Sequence, residues 1–393
     1  MSSSPDLTHN LRPAARSTPE SGIVEIRNHA WGREGVIPLW VGEGDKPTPA
    51  FISDAAQAAL AGGETFYTYQ RGIPDLREAL ARYHTRHFGR AFQPDEFIVT
   101  GSGMQSIQLA LQATAGAGDE AIYLSPAWPN FVGAATVAGI MPKAVELDLT
   151  DNGWVLDHDR LAAALTDRTK VIFLNSPSNP TGWTASHDDL RATLNLARQR
   201  GLWIIADEIY SLFYYGGKRA PSFLDIMQPD DRIIFVNTFS KNWSMTGWRV
   251  GWLVVNPALQ QTFENLIQYS TSGVAQFMQR GAVAALDGGD DLIASYAERA
   301  RVNRDLLCVR LMETDRVRLA VPQGAFYLFF AIDGVNESTA AAKRIIDEAG
   351  VGLAPGSAFG TGGEPFFRLC FHRETAQIEA AAERLGKWIE GLG

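Results

Sequence analysis

Short apolar runs punctuate the chain, each closed by a polar or glycine-rich loop and separated from the next by a stretch with helical period. The runs are FIVT (97–100), AIYLS (121–125), KAVELDL (143–149), VIFLN (171–175), WIIAD (203–207), IIFVN (233–237) and VGWLVV (250–255). Helical spacing falls at 73–88, 104–115, 188–200 and 260–286. Strands alternating with helices predict an α/β fold with a mostly parallel sheet of seven strands, covered on both faces. Ligands collect at the carboxyl ends of such strands, so the segments after VIFLN, WIIA and IIFVN should carry the chemistry. Those segments are SPSNPTG, DEIY and TFSK.

Beyond about residue 290 the pattern changes. A long charged helix (291–312) is followed by VRLAVPQGAFYLFFAI, a helix at 338–349, VGLAPGSAF, FFRLCF and a closing helix. This is an α+β pattern, and it predicts a smaller domain from 291–393 joined by residues 1–45, including the strand-like VIPLWV (36–41). Residues 46–290 are then the large domain, and a length of 393 residues fits such a division.

Composition narrows the function. A net charge of −9 argues against nucleic acid or an anionic membrane as partner, because both demand a basic face. No uninterrupted apolar run reaches the roughly 18 residues of a membrane span. The opening MSSSPDLTHNLRPAARSTPESG has no apolar core of a secretory signal and reads as a mobile or partner-clasping arm. Cys308 and Cys370 show no CxxC spacing, which suits passive core residues in a reducing cytosol. His84 and His87 share a helix face and are read as part of a solvated surface rather than a metal site.

One lysine stands apart. Six of the seven lysines sit beside charges, turns or strand starts, but Lys241 follows a strand end, and no other ionisable residue lies between Arg232 and Arg249. Desolvation of this kind lowers an amine's pKa and makes it nucleophilic. Arg249, Thr238 and Ser240 around it form a phosphate pocket in outline. A second phosphate element, Gly101-Ser102-Gly103-Met104-Gln105, follows FIVT at the start of a helix. A dinucleotide-binding reading of this loop fails: Ser106 stands where GxGxxG needs its third glycine, and Asp119-Glu120 precedes the next strand instead of following it.

Asp207 closes WIIA, and a lysine paired with an aspartate on a ring nitrogen is the mark of a pyridoxal phosphate site. Tyr210 and Asn179 would donate to the ring hydroxyl, and Trp128 in SPAWPNF would stack on the ring. Singly, Asn179 is as well read as a turn residue, Trp128 as core and Asp207 as a helix cap. Their convergence on successive strand ends favours the site.

NSPSNPTG, DEIY and TFSKNWSMTGWRVGW, in this order and spacing, resemble the class I aminotransferases, fold type I pyridoxal phosphate enzymes of the aspartate aminotransferase kind. The likeness extends through VGEGDKPTP, FYTYQRGIPDLREAL, SPAWPNF, PQGAFYLF, APGSAFG and FFRLCF, nearly the whole chain. The resemblance implies that Lys241 holds the cofactor covalently and shuttles a proton, that Asp207 pairs with the pyridine nitrogen, and that Tyr210 and Asn179 meet the ring oxygen. It places Ser102, Gly103, Met104, Thr238, Ser240 and Arg249 around the phosphate. Tyr67 would reach the phosphate of a neighbouring subunit, which implies a homodimer with shared sites. Arg368 would bind the substrate α-carboxylate, with the Gly42 backbone closing over it.

Two departures bear on the substrate. GEGDKPTP stands where the family commonly shows GEPDFPTP, so that Gly44 and Lys46 bring a flexible glycine and a lysine near the substrate entrance, and no second arginine presents itself for a side-chain carboxylate. The expectation is an aminotransferase acting on an L-amino acid and a 2-oxo acid. A β-lyase, or a synthase or decarboxylase using the same lysine-bound cofactor, are the alternatives. A ligand-sensing module of a transcription regulator is a third, disfavoured because the first 22 residues are too short and polar for a DNA-binding region.

Overall fold

The computed structural model describes residues 7–392. Residues 1–6, where the predicted arm begins, lie outside the described residues. Seven apolar runs form one sheet: β1 (Phe97–Thr100), β2 (Glu120–Ser125), β3 (Met141–Glu146), β4 (Thr169–Asn175), β5 (Trp203–Asp207), β6 (Ile233–Thr238) and β7 (Gly251–Val254). Their order is β1-β7-β6-β5-β4-β2-β3. β3, β2, β4, β5 and β6 pair in parallel, and β7 runs antiparallel to both β6 and β1. The carboxyl ends of β1, β4, β5 and β6 therefore lie along one edge, as the topology rule requires.

The strands are apolar throughout because both faces are covered. Phe97 and Val99 enter one core while Ile98 enters the other, and Ile204 and Ile205 divide in the same way. Helices Pro74–Phe88, Gly103–Thr114 and His187–Arg200 fall within a residue of the predicted spans. The last is held by a capping box between Ser186 and Asp189 and stopped by Gly201 in the left-handed region.

Three sequence expectations change. The predicted helix over 260–286 is two, Gln260–Gln268 and Gln276–Gly288, with Ser272 (φ 56°) and Gly273 (φ 110°) turning the chain between them. Each helix has its own apolar face: Phe263 and Ile267 enter one core, and Ala282, Ala285 and Leu286 enter the other. KAVELDL ends as a sheet strand at Glu146, and Asp148–Thr150 turns away to pair with Gly153–Val155. His84 is not solvated: it is 2% exposed, and its Nε2 accepts the Trp252 Nε1–H at 3.0 Å. It falls on the Leu76–Leu80 stripe of its helix, and burial pushes its pKa down to about 3, so the ring stays neutral. His87 lies beside Asp290 (3.6 Å) and the Tyr83 ring (4.5 Å).

Farther along the chain, an antiparallel sheet of order β8-β9-β11-β10 is built from β8 (Val317–Leu319), β9 (Tyr327–Ile332), β10 (Ala354–Pro355) and β11 (Phe366–Cys370). Helices Asp290–Met312, Ser338–Ala349 and Thr375–Glu390 accompany it. VIPLWV contributes only Ile37–Pro38, paired in parallel with Val351–Gly352. The described part of the arm is anchored, since the Arg12 guanidinium donates to the Val137 carbonyl at 2.6 Å. Cys308 and Cys370 are free and buried. Among the described residues no helix is long and apolar enough to cross a membrane.

Candidate active site

The stretch from Phe239 to Trp252 is pinned by its apolar residues. Phe239, Trp243, Met245 and Val250 are fully buried, and the Phe239 ring packs on Trp243 (5.0 Å) and Trp252 (4.9 Å). With those side chains in the core, Lys241 turns the other way, into a cavity of about 340 Å³ at the carboxyl edge of the large sheet. Its amine donates to the Gly42 carbonyl at 2.6 Å. Desolvation by the surrounding walls, with Arg368 and Arg249 nearby, pushes the amine down from 10.5 to about 8 against the opposing pull of Cys370 and Glu43.

Asp207 closes β5 in register with Asn175 at the end of β4. Its carboxylate is 2% exposed and accepts one long bond, from the Ile209 N–H at 3.5 Å. Burial raises its pKa to about 7, tempered by that N–H and by the Lys241 charge. A carboxylate so poorly partnered has room for a cationic N–H donor. Asn175 ties the neighbouring loop to this edge: its Nδ2 donates to the Asp207 carbonyl (3.1 Å), and its Oδ1 accepts the Asn179 N–H (2.9 Å). The Asn179 carbonyl in turn accepts the Trp128 N–H at 3.0 Å.

At the other end the chain is crowded for a reason. Gly251 of β7 lies between Thr100 and Thr238, and a Cβ there would sit 2.7 Å from the Ser102 carbonyl carbon and 2.8 Å from the Gly103 nitrogen. That close approach sets the N-terminus of helix Gly103–Thr114 against Thr238 and Ser240, whose hydroxyls are 2.9 Å apart. Arg249 holds left-handed backbone (φ 54°) and donates to the Thr246 carbonyl at 2.5 Å. Free amides, hydroxyls and a guanidinium in one corner suit a doubly charged anion such as a phosphate group. Ser102 is committed to the helix end, its hydroxyl oxygen accepting the Gln105 N–H at 3.0 Å.

Arg368 enters from the second sheet. It lies in the middle of β11, opposite Phe329 on one side and Ala354 on the other. Only 2% exposed, it donates to the Asn179 side-chain oxygen (3.2 Å) and to the Trp40 carbonyl, with the Tyr327 ring 4.7 Å from its guanidinium carbon. All of these partners are neutral, so the guanidinium keeps its capacity for a planar carboxylate.

The sequence pattern gave no reason to single out Tyr327. Its hydroxyl meets that of Tyr210 at 2.8 Å and donates to the Gly42 carbonyl at 3.4 Å. Burial pushes both phenols well above their ordinary pKa. A Cβ on Gly42 would stand 2.5 Å from the Tyr327 hydroxyl, so that position is closed to any larger residue. The one available signal was a hydroxyl in the otherwise apolar YLFFAI.

Of the sequence-predicted site residues, all but Ser102 and Tyr67 line this one cavity. Tyr67 is 95% exposed, in company with Phe66 (83%) and Tyr69 (65%).

The family model for aminotransferase class I and II matches residues 34–385. The aspartate aminotransferase of Thermotoga maritima is 33% identical, the match covering 91% of this chain and 92% of that protein. The alanine aminotransferase of Pyrococcus furiosus superposes with a TM-score of 0.90 at 28% identity, over 97% of this chain and 99% of that one. For the aromatic aminotransferase of Pyrococcus horikoshii the TM-score is 0.86 at 30% identity, over 93% and 98% of the two chains. A match that spans both sheets, with relatives this similar along almost their whole length, makes this chain a member of the class I and II aminotransferases.

Proposed function

We propose that the protein uses pyridoxal 5'-phosphate to move an amino group from an L-amino acid to a 2-oxo acid, working as a homodimer. The observation that carries the cofactor assignment is the pairing of a buried, easily neutralised amine, Lys241, with a buried and under-partnered carboxylate, Asp207, in one cavity with an anion corner. When bound, pyridoxal phosphate supplies an aldehyde carbon to which amines attach and a ring that takes up the electron pair released at the substrate Cα.

The remaining work falls to the chain. At pH 7.5 roughly a quarter of Lys241 is neutral with its pKa near 8, against about one part in a thousand for an ordinary lysine. The neutral amine is the form that would hold the cofactor covalently, with loss of water from its aldehyde, and the same amine would take and return the substrate Cα proton. Asp207 holds the proton on the ring nitrogen. Tyr210 donates to the ring oxygen, and so does Asn179, whose side-chain oxygen already accepts from Arg368 and leaves its Nδ2 free. Trp128 would stack on the ring, and Ser102, Gly103, Met104, Thr238, Ser240 and Arg249 would hold the phosphate. Arg368 grips the α-carboxylate under the Gly42 backbone. Tyr67 serves the site of a neighbouring copy, a role supported by its exposure here. Residues 46–290 form the cofactor-holding domain, and 1–45 with 291–393 the domain that brings Gly42 and Arg368. The free, buried cysteines fit a cytosolic setting.

Purified protein titrated with pyridoxal phosphate should develop a visible absorption band, and borohydride should fix the cofactor to a peptide containing Lys241. An amino acid should then bleach the band with one equivalent of 2-oxo acid formed; ammonia release without an acceptor would indicate a lyase instead. No visible band at any cofactor concentration would end the proposal.

A further inference from the structure

Residues 38–46 form a strap that carries the Gly42 carbonyl over the cavity, and they lie along residues 368–374, the end of β11 and the turn after it. Arg373 donates to the Pro38 carbonyl (3.1 Å), the Cys370 N–H to the Leu39 carbonyl (2.9 Å), Arg368 to the Trp40 carbonyl and the Cys370 thiol to the Glu43 carbonyl (3.6 Å). At the outer end Asp45 accepts the Glu374 N–H (2.5 Å) and the Arg299 guanidinium (2.9 Å), and Lys46 pairs with Glu374. Between these polar contacts lies a steric one. A Cβ on Gly44 would stand 2.7 Å from Cδ2 and 2.8 Å from Nε2 of His372.

The His372 ring has no room to step aside. It is 2% exposed, stacked on Phe326 at 5.0 Å and set edgewise to Phe213 (5.3 Å) and Tyr296 (5.1 Å). Burial pushes its pKa down to about 3, so the ring is neutral and acts through its shape. Packing this close passes a displacement on instead of absorbing it. The departure at Gly44 thereby gains a cause: the family's common GEPDFPTP has proline there, and its Cβ would strike this ring. Inward of Gly44, the Gly42 carbonyl accepts from Lys241 at 2.6 Å and from the Tyr327 hydroxyl at 3.4 Å, while the Trp40 carbonyl holds Arg368. The height of the strap above the ring therefore sets the geometry at both cations.

We propose that His372 is a positioning residue: its ring is the seat on which the strap rests, and the bare backbone of Gly44 is what brings the Gly42 carbonyl down to Lys241. Neither residue touches the reacting atoms. The catalytic consequence rests on the aminotransferase reading, under which the same seat fixes how closely Gly42 covers a carboxylate held by Arg368.

The test is a two-position cycle. Gly44 lies outside the left-handed region, so Gly44→Ala adds a methyl whose main effect is on the contact with His372. In the cofactor-free, full-length chain, trace acetylation with acetic anhydride reads the pH at which Lys241 becomes neutral, resolved by peptide mass. The midpoint should lie near 8 in the unaltered protein. Burial is the largest cause of that low value, so lifting the strap admits water, and Gly44→Ala should raise the midpoint by about one pH unit. In the cofactor-loaded enzyme, kcat/KM for the amino acid should fall about tenfold or more. Adding His372→Ala should return the midpoint to near 8 and kcat/KM to within about threefold of the unaltered enzyme. Where His372→Ala does not fold, His372→Val, which still fills part of the space, takes its place.

A midpoint unmoved by Gly44→Ala would mean that the ring gives way, and a double variant that does not recover would put the clash elsewhere; either overturns the proposal. So does a loss of heat stability with midpoint and kcat/KM unchanged, the mark of a merely structural contact. Should no amino acid bleach the band, the aminotransferase reading fails, and the acetylation midpoints still decide whether His372 seats the strap.

Discussion

Lys241 and Arg368 bring positive charge to the same cavity from opposite kinds of structure. Lys241 sits on a turn just past a parallel strand, where the backbone has left the ladder and a side chain is free to point along the sheet edge. Arg368 sits mid-strand in an antiparallel ladder, between Phe367 and Leu369, both fully buried on the opposite face. The amine is labile, driven by its surroundings to a pKa near 8. The guanidinium is permanently charged and is steadied by neutral acceptors and an aromatic ring. A parallel sheet thus presents chemistry where its strands end, and an antiparallel one presents it on a face. The first kind of site can change protonation state during turnover, and the second can hold an ion without changing.

The strongest test of that division is Lys241→Ala. It should lower kcat by about 10⁴-fold or more, since it removes both the covalent link and the proton carrier. Borohydride should then leave no cofactor mass on the protein, and a surviving adduct would place the attachment elsewhere. Arg368→Lys should act on binding: the KM for the amino acid should rise about 100-fold, because one ammonium cannot replace a planar fork, while kcat stays within about tenfold. A kcat loss matching that of Lys241→Ala would break the contrast between the two cations.

pH separates them next. Protonated Lys241 cannot attack an aldehyde, so capture of pyridoxal phosphate by the apoprotein should rise roughly tenfold from pH 7 to 9 as the amine passes through its pKa near 8. A rise that continues towards pH 10.5 would mean an ordinary lysine. The affinity for an unreactive carboxylate, which rests on Arg368, should stay flat over the same range.

The same contrast explains what could be read from the sequence. Asp207, Asn179, Thr238 and Lys241 were legible because strand ends of a parallel sheet are marked by apolar runs and because polar residues directly after them have few other uses. Arg368 and Gly42 were legible only through resemblance, since nothing in FFRLCF says which face a strand residue takes. Contacts between distant segments were not legible at all. Trp252 turns His84 from an apparent surface residue into a core acceptor, and Gly251 sets two phosphate loops against each other, through pairings that no local pattern encodes. The broken helix at 260–286 was hidden because each half has an apolar face of its own, Phe263 and Ile267 entering one core and Ala282, Ala285 and Leu286 the other, although Ser270-Thr271-Ser272-Gly273 marks the break.

Tyr327 gives the smallest effect and the sharpest reading, because it belongs to the sheet of Arg368 but bonds to the groups around Lys241. Its ring lies against the guanidinium, and its hydroxyl meets Tyr210 and the Gly42 carbonyl that also accepts from Lys241. Tyr327→Phe keeps the ring and removes only the hydroxyl. If the hydroxyl supports the Lys241 side, Tyr210 loses a partner, kcat falls about threefold to tenfold, and the KM for the amino acid stays within about twofold. The pH at which the cofactor's visible band titrates should move as well, because the hydrogen bonds around the amine and the ring oxygen are redistributed. A KM rise with kcat and band unchanged would assign Tyr327 to the arginine instead. The line between the two regions would then run between Tyr210 and Tyr327, across the 2.8 Å bond that joins them.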